Sequence, residues 1–335
     1  MPAAVFYPIW FVFGAMWGSF INVCIYRIPR RESIVFPASH CPHCGTPIKP
    51  YDNIPILSWL VLKGKCRACH KPISIQYPIV ELISGVVFML VFYRTGWSSQ
   101  LPVYLFFSVY LLIGALTDLF TFFDPPRTEL PVHLILPRIT LSAAEPPTTE
   151  LVWEGVISDE TYAHENPNTE TVGIGQPIEP VQLPPIHVKP IMVEKGIIPD
   201  EISIGGIIIG VLLALISEQT SFDLMLFPRE PLLEAVLGFF AGAGSLYLLS
   251  VGYRLLKGID GMGMGDVKYL GMIGVFLGWK AVIVTILVGS VVSLLVTVPY
   301  LLRSKMGSQS PMPFGPSLAV GALVALAFGD VLFLF

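Results

Sequence analysis

Two acidic residues lie in apolar segments, where a carboxylate is costly to bury. Asp118 lies in the run VYLFFSVYLLIGALTDLFTFF, and Asp266 closes the glycine-rich run GMGMGD. A carboxylate at membrane depth costs about 2.5–3.5 kcal/mol on insertion scales unless it faces a polar cavity or a partner. Two carboxylates that lie close together cannot both ionise cheaply, so one keeps a proton and the other does not. We therefore expect Asp118 and Asp266 to form a pair suited to acid–base catalysis with an attacking water.

Glycines and a lysine surround the second aspartate. Gly263 and Gly265 lack a Cβ atom, so the backbone there can approach an extended peptide or the partner aspartate closely. We predict that Gly263, Gly265 and Lys268 support the active site or the substrate. The alternative is that each aspartate caps a helix or pairs with a lysine, and Lys268 is close enough to Asp266 in sequence to pair with it.

Cysteines form a second candidate site. The pattern is C-x2-C, a gap of 21 residues, and C-x2-C, made by Cys41, Cys44, Cys66 and Cys69. This spacing is typical of a structural zinc site with four thiolate ligands, and a small loop domain gains its folding energy from such a metal. Two disulfides are the alternative. The neighbouring histidines (His40, His43 and His70) are interpreted as surface residues, and Cys24 as a packing residue.

The elements that must position these residues are membrane helices. The chain of 335 residues is 53% hydrophobic and 13% charged, with a mean hydropathy of +0.70. Soluble domains carry about 25% charged residues, so we predict an all-α polytopic membrane protein in contact with lipid, with no nucleic-acid partner. About eight transmembrane helices are long enough, at 5–26, 79–96, 102–122, 202–217, 232–253, 267–279, 281–302 and 316–335.

Basic residues predict the orientation of these helices. The N-terminal apolar segment has no basic residue before it, which indicates a first helix with its N-terminus outside and no cleaved signal peptide. Eight basic residues follow that helix and place the loop 27–78 in the cytoplasm: Arg27, Arg30, Arg31, Lys49, Lys63, Lys65, Arg67 and Lys71. Both termini then lie outside, and Asp118 and Asp266 fall near the cytoplasmic face. A reducing cytoplasm favours zinc over disulfides in the loop.

The segments predict five regions. They are a first transmembrane helix (1–26), a cytoplasmic zinc-knuckle domain (27–78), transmembrane helices two and three (79–123), a cytoplasmic insertion rich in proline and acids (124–199), and transmembrane helices four to eight with the GxGD motif (200–335). Short strands are one interpretation of the insertion and a flexible Pro-rich segment is another.

Taken together, these residues resemble the type IV prepilin peptidase family. The matching strings occur in family order and cover the chain outside the insertion: GSFINVCIYRIPR at 18–30, the two C-x2-C pairs, QYPIVEL at 76–82, TDLFTFFD at 117–124, IPDEIS at 198–203, GMGMGDVKYLG at 261–271 and PFGPSLAVGAL at 313–323. Two departures are Gln76, where the family has arginine, with Glu81 retained, and the long insertion.

The resemblance implies a GxGD-type membrane aspartic protease whose catalytic pair maps onto Asp118 and Asp266. Its substrates would be prepilins and type II secretion pseudopilins, cut at the cytoplasmic face of the inner membrane after a glycine that ends a short basic leader. The family also implies N-methylation of the new terminus with S-adenosylmethionine, associated with the region that holds the cysteine pairs. The insertion could gate the substrate or bind another protein of pilus or type II secretion assembly.

Two functions of other classes fit some of the same features. Membrane carboxylates also serve as proton relays in transporters, which would show transport in liposomes and no proteolysis. A non-catalytic assembly subunit that docks through the cysteine loop would tolerate replacement of both aspartates by asparagine.

Overall fold

A computed structural model describes residues 5–123, 198–220, 222–227, 230–258, 263–303, 312–329 and 331. The described residues form helices and no named strand, which confirms the predicted all-α class. Eight α-helices occur in these ranges: α1 (Tyr7–Arg27), α2 (Leu57–Val61), α3 (Gln76–Thr95), α4 (Gln100–Phe123), α5 (Asp200–Gln219), α6 (Pro231–Lys257), α7 (Met264–Arg303) and α8 (Gly315–Phe328). The compact unit that they belong to comprises 1–127 and 192–335. The interpretations of the insertion between 124 and 197 lie outside the described residues.

The predicted count of eight transmembrane helices is not confirmed. Six of the described helices have the length and composition to cross a membrane: α1, α3, α4, α5, α6 and α7. The predicted eighth span corresponds to α8, which is a shorter apolar helix of 14 residues. A helix of that length rises about 21 Å, less than the hydrocarbon core of about 30 Å. The chain is therefore a multi-pass membrane protein with six candidate spans among its described residues.

Helix α7 contains the predicted sixth and seventh spans in one element of 40 residues. Gly278 interrupts it with φ 77° and ψ 169°, a conformation that favours glycine. A Cβ built on Gly274 would lie 3.1 Å from a methyl of Val282. In an unbroken helix these residues would be about 12 Å apart along the axis, so the chain bends back sharply at Gly278. The sequence had predicted this boundary at 280.

Helix α4 is the most enclosed of the spanning helices. Its span is 78% buried, whereas the other five are 22–44% buried. Tyr104 and Phe107 are fully buried on it, and Phe107 stacks on Phe276 of α7 at a centroid distance of 4.8 Å. An aspartate near the end of α4 is therefore surrounded by protein rather than by lipid.

Small residues allow the outer helices to approach closely. On α1, a Cβ at Gly14 would lie 2.6 Å from the carbonyl oxygen of Ser84, and a Cβ at Gly18 would lie 2.6 Å from Cα of Glu81. Helices α1 and α3 consequently pack at backbone contact distance, as small residues permit in membranes. This contact holds the loop between them, which carries the cysteines, against the bundle.

Candidate functional site

Asp118 lies near the C-terminal end of α4 with a relative exposure of only 3%. Its Oδ2 accepts a hydrogen bond of 2.9 Å from the backbone N–H of Gly315. Gly315 begins α8, and the first amides of a helix have no partner within it and carry partial positive charge. The start of α8 therefore supplies the polar partner that a buried carboxylate needs.

Gly315 is a site residue that the sequence analysis missed. A Cβ there would lie 2.8 Å from Asp118 Oδ2, so only glycine permits this approach. Pro316 follows it and has no N–H, which leaves the amide of Gly315 as the exposed donor at this helix start. The string PFGPSLAVGAL contained the signal, a glycine between two prolines ahead of an apolar helix.

Asp266 lies in the first turn of α7 and is partly buried. Gly265, the residue before Asp266, lies against Ile198, and Ile198 also lies against Gly315, which is bonded to Asp118, so the two aspartates border the same space. A Cβ on Gly263 would lie 3.8 Å from Asp266 Oδ2, so the backbone before the helix borders the carboxylate without a side chain between them. Two acids that are 148 positions apart in the sequence are thus brought to one place.

Lys268 does not pair with Asp266. Its Nζ lies 2.6 Å from Oδ1 of Asp200, the first residue of α5, and both side chains are partly exposed. The alternative in which Lys268 neutralises Asp266 is therefore wrong. The ion pair instead ties the first turn of α7 to the start of α5, so Lys268 contributes to the position of α7.

Tyr269 joins the helices that carry the two acids. It is fully buried on α7, one turn after Asp266, and its hydroxyl donates a hydrogen bond of 2.5 Å to the carbonyl oxygen of Leu111 on α4. A Cβ on Gly114 would lie 2.6 Å from the ring, so the ring rests directly on α4. Sequence reasoning missed this residue because an isolated tyrosine in an apolar run carries no distinct signal.

Ile198 occupies the space beside the pair. It is 4% exposed and immediately precedes the first turn of α5. Its Cβ lies 3.4 Å from the Cβ position of Gly265, and its Cδ1 lies 3.2 Å from that of Gly315. The residue therefore touches both the glycine before Asp266 and the glycine bonded to Asp118.

The four predicted cysteines come together in the loop between α1 and α3. Their Sγ atoms all lie within 4.8 Å of one another, and those of Cys41 and Cys69 are 3.9 Å apart. All four are free thiols, which excludes the predicted alternative of two disulfides in this structure. Zinc bound by four thiolates at about 2.3 Å holds its sulfurs about 3.8 Å apart, so this cluster fits such an ion. The three neighbouring histidines are exposed and lie outside the cluster, as predicted.

Each cysteine pair lies on a turn of the same design. The amide of Gly45 donates to the Cys41 carbonyl at 2.9 Å, and the amide of His70 donates to the Cys66 carbonyl at 3.0 Å. Gly45 and His70 both have positive φ, 69° and 58°. The shared pattern C-x-x-C-x-x-P-I in the sequence indicates this repeat, which the sequence analysis did not identify.

Local hydrogen bonds favour thiolates at two of the four cysteines. The side chain and the backbone of Thr46 lower the pKa of Cys44 to about 6. The amides of Cys69 and Ala68 lower the pKa of Cys66 below its ordinary value. Although the backbone of Lys71 favours a thiolate at Cys69, desolvation and the neighbouring thiols raise the pKa of Cys69 to about 11. Thiolates are the form that binds a metal, so Cys44 and Cys66 are the ligands that the turns prepare for one.

A polar junction joins the cysteine loop to the bundle. Glu81 of α3 is 7% exposed, and its Oε2 accepts a 2.7 Å hydrogen bond from the amide of Ile56 in the loop. Nearby on α1, the Asn22 side chain donates to the carbonyls of Gly18 and Tyr77 at 3.2 Å each. Its Oδ1 has no hydrogen-bond partner among the described residues, although Asn22 is only 2% exposed. The junction therefore has an unused acceptor beside a buried carboxylate.

Two family models match the chain on either side of the insertion. One, described as the bacterial peptidase A24 N-terminal domain, matches residues 12–95, and the other, described as the type IV leader peptidase family, matches residues 193–298. The first covers the cysteine loop, and the second covers Asp266 with its glycines.

Curated relatives match nearly the whole chain. A prepilin leader peptidase/N-methyltransferase of Stutzerimonas stutzeri is 30% identical, over 95% of this chain and 89% of its own. Proteins of the same name from Aeromonas hydrophila and Neisseria gonorrhoeae are 28% and 29% identical, over 97% and 96% of this chain and 92% and 91% of theirs. No solved structure matches significantly. This chain belongs to the type IV leader peptidase family, the prepilin leader peptidase/N-methyltransferases.

Proposed function

We propose that this protein is a membrane aspartic endopeptidase that removes the leader of type IV prepilins and type II secretion pseudopilins. The observation that carries the proposal is the convergence of two acids inside a family of leader peptidases: Asp118, bonded to the start of α8, and Asp266, in the first turn of α7. The catalytic pair is Asp118 and Asp266. The positive-inside pattern supports an inner-membrane protein whose active site faces the cytoplasm.

The chemistry follows from two carboxyl groups that share one proton. The ionised carboxylate takes a proton from water as the water oxygen attacks the scissile carbonyl carbon, and the protonated one donates a hydrogen bond to the developing oxyanion. Collapse of the tetrahedral intermediate breaks the C–N bond, and a carboxyl proton moves to the leaving amine. Because such a pair titrates as a unit, neither aspartate has a fixed role.

The site suits a substrate that is part leader and part membrane helix. A prepilin carries a basic leader, ending in glycine, ahead of a long apolar helix. That helix dissolves in the bilayer and brings the peptide bond to the membrane surface, where Asp118 and Asp266 lie in the proposed orientation. Contact with lipid is part of the same proposal, since the outward faces of the spanning helices are apolar.

Zinc is the proposed metal of the loop, with Cys41, Cys44, Cys66 and Cys69 as ligands. Four protein thiolates leave no open position for a substrate, so the ion has a structural role there.

N-methylation of the cleaved terminus is the proposed second activity, with S-adenosylmethionine as the methyl donor. The junction of α1 and α3 fits one part of such a ligand, because Glu81 and the unused Oδ1 of Asn22 are acceptors for an ammonium group. Replacement of Asn22 by alanine should then reduce methylation and leave cleavage intact. Mass spectrometry of the pilin terminus measures both products at once.

The decisive experiment uses the purified protein and a prepilin in detergent. Asp118→Asn and Asp266→Asn should each lower kcat/KM for cleavage by about 10²–10⁴-fold, the usual contribution of acid–base catalysis. The matched control is Asp200→Asn, an exposed aspartate beside the same site, whose ion pair with Lys268 is worth about 0–1 kcal/mol. Cleavage at a near wild-type rate by either Asp118→Asn or Asp266→Asn would refute the proposal that this protein is an aspartic protease.

The same samples address the rival functions. A transporter would move ions or protons in liposomes without proteolysis, and a non-catalytic subunit would tolerate both asparagine substitutions. These rivals gain no support from the family comparisons, which give only peptidases. Partners in pilus or type II secretion assembly remain part of the proposal and are tested by co-purification.

A further inference from the structure

The side chain of Ile198 lies directly beside the aspartate pair. The Cβ position of Gly315 lies 3.2 Å from the Cδ1 methyl of Ile198 and 2.8 Å from Asp118 Oδ2. The Cβ position of Gly315 is therefore within contact distance of both the methyl and the carboxylate oxygen. A substrate backbone bound at Asp118 on this side would lie next to this methyl.

Two glycines form the other borders of this space. Gly315 lies on one side of Ile198 and Gly265 on the other, and both present only backbone to it. Three atoms of Ile198 lie 3.4–3.6 Å from the Cβ position of Gly265. Ile198 is thus the one side chain among these three residues that fills the volume. Its shape, rather than that of the glycines, determines what else can enter there.

Ile198 is held in this place by its neighbours in the chain. Pro199 follows it, and a residue before proline is restricted to extended backbone conformations. Pro199 caps α5, where its carbonyl accepts hydrogen bonds from the amides of Ile202 and Ser203 at 3.1 and 3.2 Å. The next residue, Asp200, is paired with Lys268 of α7. The backbone of Ile198 cannot move away from the pair without disturbing these contacts.

We propose that Ile198 limits the size of the substrate residue that precedes the scissile bond, so that a residue without a side chain is accepted and a larger one is excluded. This inference rests on the proposed function. A Cβ on that substrate residue would compete for the volume that the Cδ1 methyl fills. Exclusion by overlap in a packed site is steeper than the roughly 10–200-fold that one missing methylene provides in a pocket.

The experiment compares two prepilin substrates, one with glycine before the scissile bond and one with alanine. The ratio of their kcat/KM values is measured for wild type, Ile198→Val and Ile198→Ala. Ile198→Val removes the Cδ1 methyl and little else. The matched control is Ile202→Ala, a buried isoleucine one turn further along α5 at 7% exposure, against 4% for Ile198.

Wild type should strongly prefer the glycine substrate. Ile198→Val should reduce the glycine-to-alanine ratio by at least about tenfold, through faster cleavage of the alanine substrate, and Ile198→Ala should reduce it further. Ile202→Ala should leave the ratio within about twofold of wild type, because Ile202 is not among the atoms nearest to Gly263, Gly265 or Gly315. A ratio is insensitive to the fraction of folded enzyme, so a loss of stability does not mimic the result.

Four outcomes would overturn the proposal: no preference in wild type, an unchanged ratio in both Ile198 variants, an equal change in Ile202→Ala, or loss of glycine cleavage in Ile198→Val. The last counts because a side chain that only limits size leaves the glycine substrate accommodated. Failure of the proposed function is distinct, since wild type would then cleave neither substrate.

Discussion

The paired aspartates lie where three long helices pack together, whereas the four cysteines lie in a segment whose only α-helix, α2, has five residues. Around the aspartates, α4 is 78% buried, Tyr269 fixes α7 against it, and Ile198 packs between Gly265 and Gly315. Between 28 and 75, by contrast, only three residues are buried: Cys41, Ser58 and Gly64.

The difference lies in what holds each site in place. The aspartate pair is positioned by apolar packing and by backbone contacts at glycines, and it needs no bound ion. The cysteine segment has no apolar core of its own, and a segment of this size usually requires a metal to fold. Removal of the metal should therefore unfold the cysteine segment and leave the aspartate pair in place. Small changes in packing around the aspartates should affect only the aspartate site.

Metal removal should produce the largest structural change, which is confined to the cysteine segment. Chelation, or Cys41→Ser, should abolish binding of one zinc per chain and expose the 28–75 segment to protease, because metal binding supplies its folding energy. Helical content should hardly change, since α2 is a minor part of the helix. Cleavage of prepilin should fall by less than about tenfold, since a structural zinc takes no part in the chemical step. Metal analysis, limited proteolysis and circular dichroism measure these effects, with Cys24→Ser as the matched control.

A contrary result would change the comparison. If chelation abolished cleavage as completely as Asp118→Asn, the loop would have to hold the active site, and the two regions would form one functional unit. If Cys24→Ser removed the metal, the ligand assignment would be wrong, because Cys24 is buried on α1 outside the cluster.

The next change acts on the aspartates alone. Gly315→Ala places a Cβ 2.8 Å from Asp118 Oδ2 and must displace the carboxylate or the start of α8. Because a misplacement of about 1 Å in an active site can cost about 10²-fold, kcat should fall by about 10–100-fold with zinc content unchanged. Gly252→Ala is the control, since a Cβ there meets nothing within 4 Å. An unaffected Gly315→Ala would show that the contact with α8 has no part in catalysis.

Sequence reasoning found the residues that differ most from their surroundings. Asp118 and Asp266 were identified because carboxylates are rare in apolar runs, and the cysteines because their spacing repeats. The helical boundaries were also close: α5 spans Asp200–Gln219, within two residues of the predicted 202–217 at each end. In each case a local signal in the sequence was sufficient.

The missed features depend on contacts between distant segments. Gly315 and Ile198 are ordinary residues of their own helices, and only the fold brings them to Asp118. The ion pair of Lys268 with Asp200 was also missed, because proximity along the chain suggested Asp266 as its partner, in the alternative to a catalytic pair. The count of eight spans is not confirmed, although the boundary that the sequence predicted at 280 lies two residues from the bend of α7 at Gly278.

A smaller effect is expected from Tyr269→Phe. The change removes the hydroxyl that donates to the Leu111 carbonyl and keeps the ring on Gly114. A buried hydrogen bond contributes about 0.5–1.5 kcal/mol net, so unfolding in denaturing detergent should shift by about that amount, with a severalfold fall in kcat. Tyr110→Phe is the control on the less buried side of α4. Equal effects of the two variants would mean that Tyr269 does not align α7 with α4.

The smallest effect belongs to the surface of the cysteine loop. Arg67 and Asp52 form an ion pair at the surface, in which the guanidinium contacts both carboxylate oxygens at 2.5–3.1 Å. The Arg67 hydrogen bond lowers the pKa of Asp52 below 3.8.

A lowered folded pKa means that the pair stabilises the loop above pH 3.8 and loses this contribution only as the pH falls through the lower value. Arg67→Ala should therefore make the loop slightly more sensitive to protease, equally at pH 6 and pH 8, and the difference should vanish at about 1 M salt, where charges are screened within about 3 Å. Zinc content should stay at one per chain, because Arg67 is not a ligand. Loss of zinc in Arg67→Ala would show that ionic contacts, rather than the metal, hold the loop, and would remove the contrast with the aspartate site.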